Sequence, residues 1–153
     1  MARLEAVHPV LMVRDVAASI QFYGRLGFVL ASSDSPGDPK YAGIRRDAVE
    51  IHLQWHDASE WAHPGDRPTY RFVVPDVDGL FEEFRGTGET FDITDVRDTA
   101  WGTREFHLRD PDLNGLQFYR ASAPAWKKPP QDRLSLGNLS LGDEVLTDRD
   151  ETR

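Results

Sequence analysis

Two segments of the chain alternate apolar residues with side chains that can bind ligands or exchange protons. The polar members are Glu50, His52 and Gln54 in residues 49–55, and Glu105, His107 and Arg109 in residues 103–109. If these segments are strands, each polar set lies on one face of a sheet. Such a face suits a ligand-binding surface, or it is the solvated side of an antiparallel sheet, and the alternation leaves both readings open.

Aromatic residues extend the candidate binding surface. Trp55, Trp61 and Trp101 offer ring faces that attract cationic or heteroaromatic groups by about 0.5–2 kcal/mol each, although alternation places Trp55 on the apolar side unless its strand bulges. We assign no catalytic residue. The predicted ligand-binding residues are His8, Met12, His52, Gln54, Trp55, Trp61, Arg71, Trp101, Glu105, His107, Gln117 and Tyr119.

Composition narrows the partners of the 153-residue chain. Eighteen basic and 26 acidic residues give a net charge of −8, which disfavours nucleic acid and suits a cationic small molecule. Cysteine is absent, so disulfides and thiolate metal sites are excluded and a reducing compartment fits. No apolar run approaches the roughly 18 residues of a membrane span, and no export signal is recognisable. We therefore expect a cytoplasmic protein without a membrane partner.

An internal repeat organises residues 10–88 and supplies the elements that hold these side chains. Asp15 and Asp76 each follow a Val-rich segment, and they lie 61 residues apart, as do Gly27 and Gly88. Aspartate caps helix N-termini and glycine ends helices. Each copy is therefore predicted to be a strand followed by a helix.

The segments after each helix are predicted to be short strands separated by turns. In the first copy they are residues 33–39, 41–45 and 49–55, and in the second they are residues 91–96, 103–109 and 116–120. The whole pattern is βαβββ twice, which predicts an α+β fold.

Domain boundaries follow from this pattern. We expect one domain over residues 1–122, built from module one (about 5–57) and module two (about 67–121). Residues 123–153 begin with a Pro-rich linker and continue as a flexible tail. The tail carries four leucines that a second subunit could cover: Leu134, Leu136, Leu139 and Leu141.

Four strings in this order resemble the vicinal oxygen chelate superfamily, which includes glyoxalase I, extradiol dioxygenases, fosfomycin-resistance enzymes and bleomycin resistance proteins. They are residues 11–16 (LMVRDV), 22–28 (FYGRLGF), 73–77 (VVPDV) and 109–118 (RDPDLNGLQF). The resemblance covers about residues 5–121 and implies two βαβββ modules around a shared cavity. Leu113 stands where glycine is usual in these relatives.

For the metal-dependent members, the resemblance implies four ligand positions, which fall on His8, His52, Thr69 and Gln117. A threonine hydroxyl is a poor ligand beside imidazole, and this set contains no carboxylate unless Glu50 or Glu105 replaces a ligand. We therefore favour no cofactor. If a divalent metal binds, its expected ligands are His8, His52 and Gln117.

The segments 101–111 (WGTREFHLRDP) and 6–11 (AVHPVL) most resemble the bleomycin resistance proteins. This subgroup implies a metal-independent homodimer that sequesters cationic glycopeptide antibiotics in clefts between subunits. The alternative is a metal-dependent enzyme, a lyase, dioxygenase or thiol transferase acting on a small oxygenated substrate. A third possibility is a scaffold module whose polar face is only solvated.

Overall fold

The structure is a computed structural model that describes residues 2–62 and 67–122. Its helices are α1 (Val16–Arg25), α2 (Ala58–Trp61) and α3 (Val77–Gly86). Its strands are β1 (Val10–Val13), β2 (Val29–Ser33), β3 (Tyr41–Arg46), β4 (Val49–Trp55), β5 (Thr69–Val73), β6 (Asp92–Ile93), β7 (Arg97–Asp98), β8 (Thr103–Arg109) and β9 (Gly115–Ala121). The predicted α+β fold is confirmed. None of the described helices is long and apolar enough to cross a bilayer.

The strands form two mixed sheets, one from each module. Sheet A has the order β1-β4-β3-β2, and sheet B has the order β5-β9-β8-β6 with β7 also paired to β8. In both sheets the first and last strands of the module are parallel neighbours, β1 with β4 and β5 with β9. The repeat seen in the sequence is therefore a repeat of topology. The predicted domain boundaries remain predictions, and the tail lies outside the described residues.

Side-chain caps and left-handed glycines delimit the long helices as the sequence predicts. The Asp15 carboxylate accepts the backbone N–H of Ala18 at 2.9 Å, and Asp76 accepts that of Gly79 at 2.9 Å. Beyond the helix ends, Gly27 has a φ of 84°, a left-handed conformation that costs glycine little. These local signals explain why both helices can be located from sequence alone.

Among the described residues, one hydrophobic core joins the two modules. Helices α1 and α3 cover the apolar faces of sheets A and B, and an aromatic residue of each helix contacts Phe91 edge to face. Phe22 of α1 lies 5.7 Å from Phe91, and Phe91 lies 6.4 Å from Phe84 of α3, between ring centroids. The fully or nearly fully buried residues include Leu11, Val13, Tyr23, Leu26, Ile44, Ile51, Leu53, Phe84, Phe106, Leu108 and Leu116.

Two predicted strands were wrong in extent. The first strand after α1 is residues 29–33 rather than 33–39, and all five of its residues are exposed, so it has no alternating pattern to reveal it. Of the predicted strand 91–96, only residues 92–93 form a strand, β6, and β7 begins beyond it at residue 97. Between the two strands, the Thr94 main chain and hydroxyl bond to the His107 backbone. Strand β2 also contains a register shift between Leu30 and Ser32.

The turn between β8 and β9 fastens module two to module one. Asp112 accepts the Arg14 guanidinium at 3.0 Å, and Asn114 donates its amide to the Met12 carbonyl at 3.0 Å. Within the turn, Leu113 has a φ of 68°. This is the left-handed region, which costs a residue with a side chain about 1–2 kcal/mol. The turn therefore keeps its geometry although leucine replaces the glycine expected from the resemblance.

Candidate functional site

The polar side chains predicted from alternation share one face of sheet A, which we call polar face A. Its members are Val10, Met12, Tyr41, Arg45, Glu50, His52 and Gln54, since these positions are paired across β1, β4 and β3. The opposite face carries Ile51 and Leu53, both 0% exposed. Burial of the apolar set in the core thus turns the polar set outward.

A chain of hydrogen bonds crosses polar face A. His52 Nε2 lies 3.0 Å from Glu50 Oε1, and His52 Nδ1 lies 2.6 Å from the Tyr41 hydroxyl. Arg45 donates from Nε, at 3.1 Å, and from Nη2 to Glu50 Oε2. His8 approaches from the N-terminal segment, with its Nδ1 3.8 Å from Glu50 Oε1. Every polar atom of the Glu50 carboxylate therefore has a partner.

Glu50 is held in its ionised form. The hydrogen bonds donated by Arg45 and His52 lower the pKa of Glu50 to about 2. An ionised carboxylate has only acceptor capacity. The carboxylate therefore fixes which atoms around it must donate.

Polar face B is the equivalent surface of sheet B, made by Thr69, Arg71, Val73, Glu105, His107, Gln117 and Tyr119. Glu105 is 0% exposed; its Oε2 accepts the Thr103 hydroxyl at 2.6 Å and its Oε1 lies 3.1 Å from His107 Nε2. Burial alone would raise the pKa of Glu105, but the hydrogen bonds from Thr103 and His107 outweigh it and lower the pKa. Glu105 is therefore also ionised at neutral pH.

A cavity of about 640 Å³ lies where the two modules meet, and we call it the intermodule cavity. It is bounded by the N-terminal segment 6–9, the turn between β3 and β4, and strand β5. Its charged or ionisable lining residues are His8, Arg45, Asp47 and Glu50 from module one and Tyr70 and Arg71 from module two. Its volume falls in the range typical of small-molecule sites, about 300–1,000 Å³.

The three tryptophans predicted to stack on a ligand lie in different places. Trp101 is 62% exposed in the turn before β8, and its indole helps to lower the pKa of Glu105, so it borders polar face B. Trp55 lies on the face opposite His52, because β4 has no bulge. Trp61 lies on α2, where the Arg14 and Arg67 guanidinium carbons are 4.0 and 4.2 Å from its ring centroid.

The other predicted binding residues remain predictions, and the structure divides them between the two polar faces. His8, Met12, His52 and Gln54 belong to module one, and Arg71, Glu105, His107, Gln117 and Tyr119 belong to module two. Tyr41 and Arg45, which the sequence patterns do not single out, reach His52 and Glu50 from β3. Only the register between β3 and β4 brings these residues together, and neither segment reveals that register by itself.

The donor set does not fit the four-ligand metal site implied by the resemblance. Within the described ranges, one group of three histidine or carboxylate side chains has its potential ligand atoms within 4.8 Å of one another. It consists of His8, Glu50 and His52. Both ring nitrogens of His52 already face hydrogen-bond partners, and the Arg45 guanidinium adds positive charge at Glu50. Thr69 and Gln117 belong to the other sheet. Of the two proposed replacement carboxylates, Glu50 and not Glu105 lies beside His8 and His52.

The chain matches a family profile over most of its length. Residues 5–118 match the profile described as glyoxalase/bleomycin resistance protein/dioxygenase superfamily. The chain belongs to this superfamily. The match spans both βαβββ modules and ends within β9, so the family resemblance predicted from four short strings is confirmed.

Relatives within the superfamily include bleomycin resistance proteins. That of Geobacillus stearothermophilus is 29% identical over 128 residues, covering 73% of this chain and 93% of the relative. The crystal structure of the bleomycin-binding protein from Streptomyces verticillus, complexed with copper(II)-bleomycin, is 29% identical, with a TM-score of 0.62, and covers 77% of this chain and 97% of that one. The bleomycin resistance determinant of transposon Tn5 has the same fold, with 18% identity, a TM-score of 0.65 and coverage of 78% and 100%.

Proposed function

We propose that the chain is a cytoplasmic protein that binds a bleomycin-type antibiotic through side chains alone and confers resistance by sequestering the drug. The observation that carries the proposal is the intermodule cavity, whose size suits part of such a ligand and whose lining includes His8, Glu50 and Arg71. The homologous resistance proteins support the choice of ligand. The net charge of −8 favours cationic groups on that ligand.

We further propose that a second copy of the chain completes the binding surface. Apolar side chains are exposed beside the polar residues, among them Val10, 42% exposed, and Val73, 74% exposed. Covering them would contribute favourable burial at about 25 cal/mol per Å² of apolar surface. In a homodimer, polar face A of one copy and polar face B of the other would each contribute to a cleft.

Light scattering tests this assembly. We expect the full chain to have the mass of a dimer, because exposed apolar residues accompany both polar faces. A monomeric full-length protein refutes the dimer. A truncation after Ala123 separates the contributions, since a truncated chain that remains dimeric with unchanged stability shows that the modules assemble without the tail.

Titration of tryptophan fluorescence with metal-free bleomycin in the presence of EDTA tests the function. We expect quenching that saturates, because Trp101 lies at polar face B while 62% exposed. Trp101→Phe should lose most of the signal, and Trp55→Phe, on the opposite face of β4, should keep it. Calorimetry measures the affinity independently of the probe. If high micromolar drug gave no quenching and no heat of binding, bleomycin would be excluded as the ligand.

Elemental analysis of protein purified without a His tag addresses the enzymatic alternative. Glu50 beside His8 and His52 is the observation that favours it, because two imidazoles and a carboxylate are a common ligand set for divalent metals. Near-stoichiometric iron, zinc, nickel or manganese that is lost in His8→Ala and His52→Ala would replace our proposal by a metal-dependent enzyme.

A further inference from the structure

The same Glu-x-His arrangement occurs on both polar faces. Glu50 and His52 lie two residues apart on β4, and Glu105 and His107 lie two residues apart on β8, so each pair shares one face of its strand. The distances from imidazole Nε2 to the carboxylate Oε1 are 3.0 and 3.1 Å. The strands are not equivalent in the repeat, since β4 ends module one and β8 is the next-to-last strand of module two. The arrangement is therefore present in two different topological settings.

Each carboxylate determines the tautomer of its histidine. Glu50 is paired with the Arg45 guanidinium and accepts only. His52 Nε2 must then carry the hydrogen that bridges to Glu50. In a neutral imidazole the other nitrogen is an acceptor. His52 Nδ1 therefore accepts, and the atom that faces it, the Tyr41 hydroxyl at 2.6 Å, donates.

On polar face A, the tautomer of His52 determines which hydrogen-bonding role the Tyr41 hydroxyl can offer to a ligand. Its single hydroxyl hydrogen is directed to His52, so the phenolic oxygen has only lone pairs left for other groups. The Tyr41 side chain is partly exposed at the start of β3. A ligand approaching this hydroxyl from solvent therefore meets a hydrogen-bond acceptor.

Polar face B also presents a hydrogen-bond acceptor, and here the acceptor is a nitrogen of the histidine itself. Glu105 accepts the Thr103 hydroxyl and has Arg97 Nη2 3.9 Å from Oε1, so its remaining partner, His107 Nε2, also donates. His107 Nδ1 is then an acceptor. Among the hydrogen bonds of residues 2–62 and 67–122, none engages this nitrogen. The His107 side chain is 37% exposed, so a ligand can reach it.

We propose that the two Glu-x-His pairs fix both polar faces as hydrogen-bond acceptors, at the Tyr41 hydroxyl oxygen and at His107 Nδ1, and thereby select a ligand that presents N–H donors to both. Tyr41 and His107 would contact the ligand, and Glu50 and Glu105 are positioning residues that act through the imidazoles. The choice of ligand group rests on the proposed function. The tautomers do not, and they can be measured without any ligand.

Long-range ¹H–¹⁵N correlation spectra of the full chain at pH 8 test the tautomers. We expect the neutral imidazoles of His52 and His107 to carry their hydrogen on Nε2. His56 provides a comparison within the chain, because its Nδ1 rather than its Nε2 lies 3.0 Å from a carboxylate oxygen, that of Glu60. His52→Gln and His107→Gln assign the signals. An Nδ1–H tautomer or an imidazolium at either position would overturn the proposal.

Two simple ions test the polarity of the faces independently of bleomycin. Methylguanidinium offers only donors and acetate only acceptors. We expect millimolar methylguanidinium, but not acetate, to shift the His107 ring signals and the Tyr41 ring signals. Glu105→Gln should reduce the response of His107, because an amide can donate as well as accept and no longer fixes one tautomer. Equal responses to the two ions would contradict donor selection.

The affinity for bleomycin tests the same inference in the proposed function. Tyr41→Phe should weaken binding about 5- to 10-fold, since one hydrogen bond is worth about 1 kcal/mol and 1.4 kcal/mol is tenfold. Ser59→Ala, which removes a hydroxyl from α2 outside both polar faces, is the control and should bind as the wild type does. Wild-type protein that binds no bleomycin refutes the proposed function, while the spectra still decide the tautomers. Unchanged affinity in Tyr41→Phe overturns ligand contact at that hydroxyl.

Discussion

Asp110→Ala is expected to destabilise the protein by about 3–5 kcal/mol, because it removes the acceptor of four buried hydrogen bonds, each worth about 1 kcal/mol. Asp110 is 3% exposed and accepts the Tyr23 hydroxyl at 2.8 Å, the Asn114 side-chain amide at 2.9 Å, and the backbone N–H groups of Asp112 and Asn114. Removing the carboxylate leaves these four donor groups without that acceptor in a buried environment. Urea denaturation measures the loss.

Two comparison variants identify the cause of this destabilisation. Tyr23→Phe removes one of the four hydrogen bonds and should cost about 1 kcal/mol. Asp95→Ala removes an exposed carboxylate from the loop between β6 and β7 and should change the free energy of unfolding by less than about 0.5 kcal/mol. If Asp110→Ala were no worse than Tyr23→Phe, the network would not be what holds the turn.

Phe84→Ala is the second prediction with a large effect, also about 3–5 kcal/mol. Phe84 is 1% exposed, and its ring lies 6.4 Å from Phe91, 6.0 Å from Phe106 and 5.5 Å from Phe118, between centroids. The substitution would leave a cavity and remove three edge-to-face contacts.

The shape of the unfolding curve carries further information on this core. Because Phe91 also contacts Phe22 of module one, we expect both modules to lose stability together in one transition. Circular dichroism and tryptophan fluorescence should therefore give the same midpoint. Two separate transitions in Phe84→Ala would show that the modules fold independently.

The sequence predicts elements whose determinants are local. Asp15 and Asp76 mark the starts of α1 and α3, because their own side chains cap these helices. The alternation in β4 and β8 assigns Glu50 and Glu105 to polar faces without knowledge of the neighbouring strands. Strand β2 escaped prediction because all of its side chains are exposed, so no apolar period marks it. Its hydrogen bonds to β3 define it, and these link residues distant in sequence.

In the candidate site, too, the local sequence pattern predicts the residues but not the contacts between them. The histidines and carboxylates were predictable as members of a face, but their connections depend on register. Tyr41 lies opposite Gln54 across β3 and β4 and thereby reaches His52 diagonally. The burial of Glu105 on a polar face likewise depends on its surroundings, since its own strand pattern predicts an exposed carboxylate.

The register shift in β2 has a consequence for how copies of the chain can associate. Within the described part of the chain β2 pairs only with β3. Its outer row of N–H and C=O groups could therefore pair with a strand of another molecule. The irregularity between Leu30 and Ser32 breaks the spacing of that row, as bulges on sheet edges commonly do. End-to-end polymerisation through sheet A is thereby discouraged, despite exposed Val29 and Leu30.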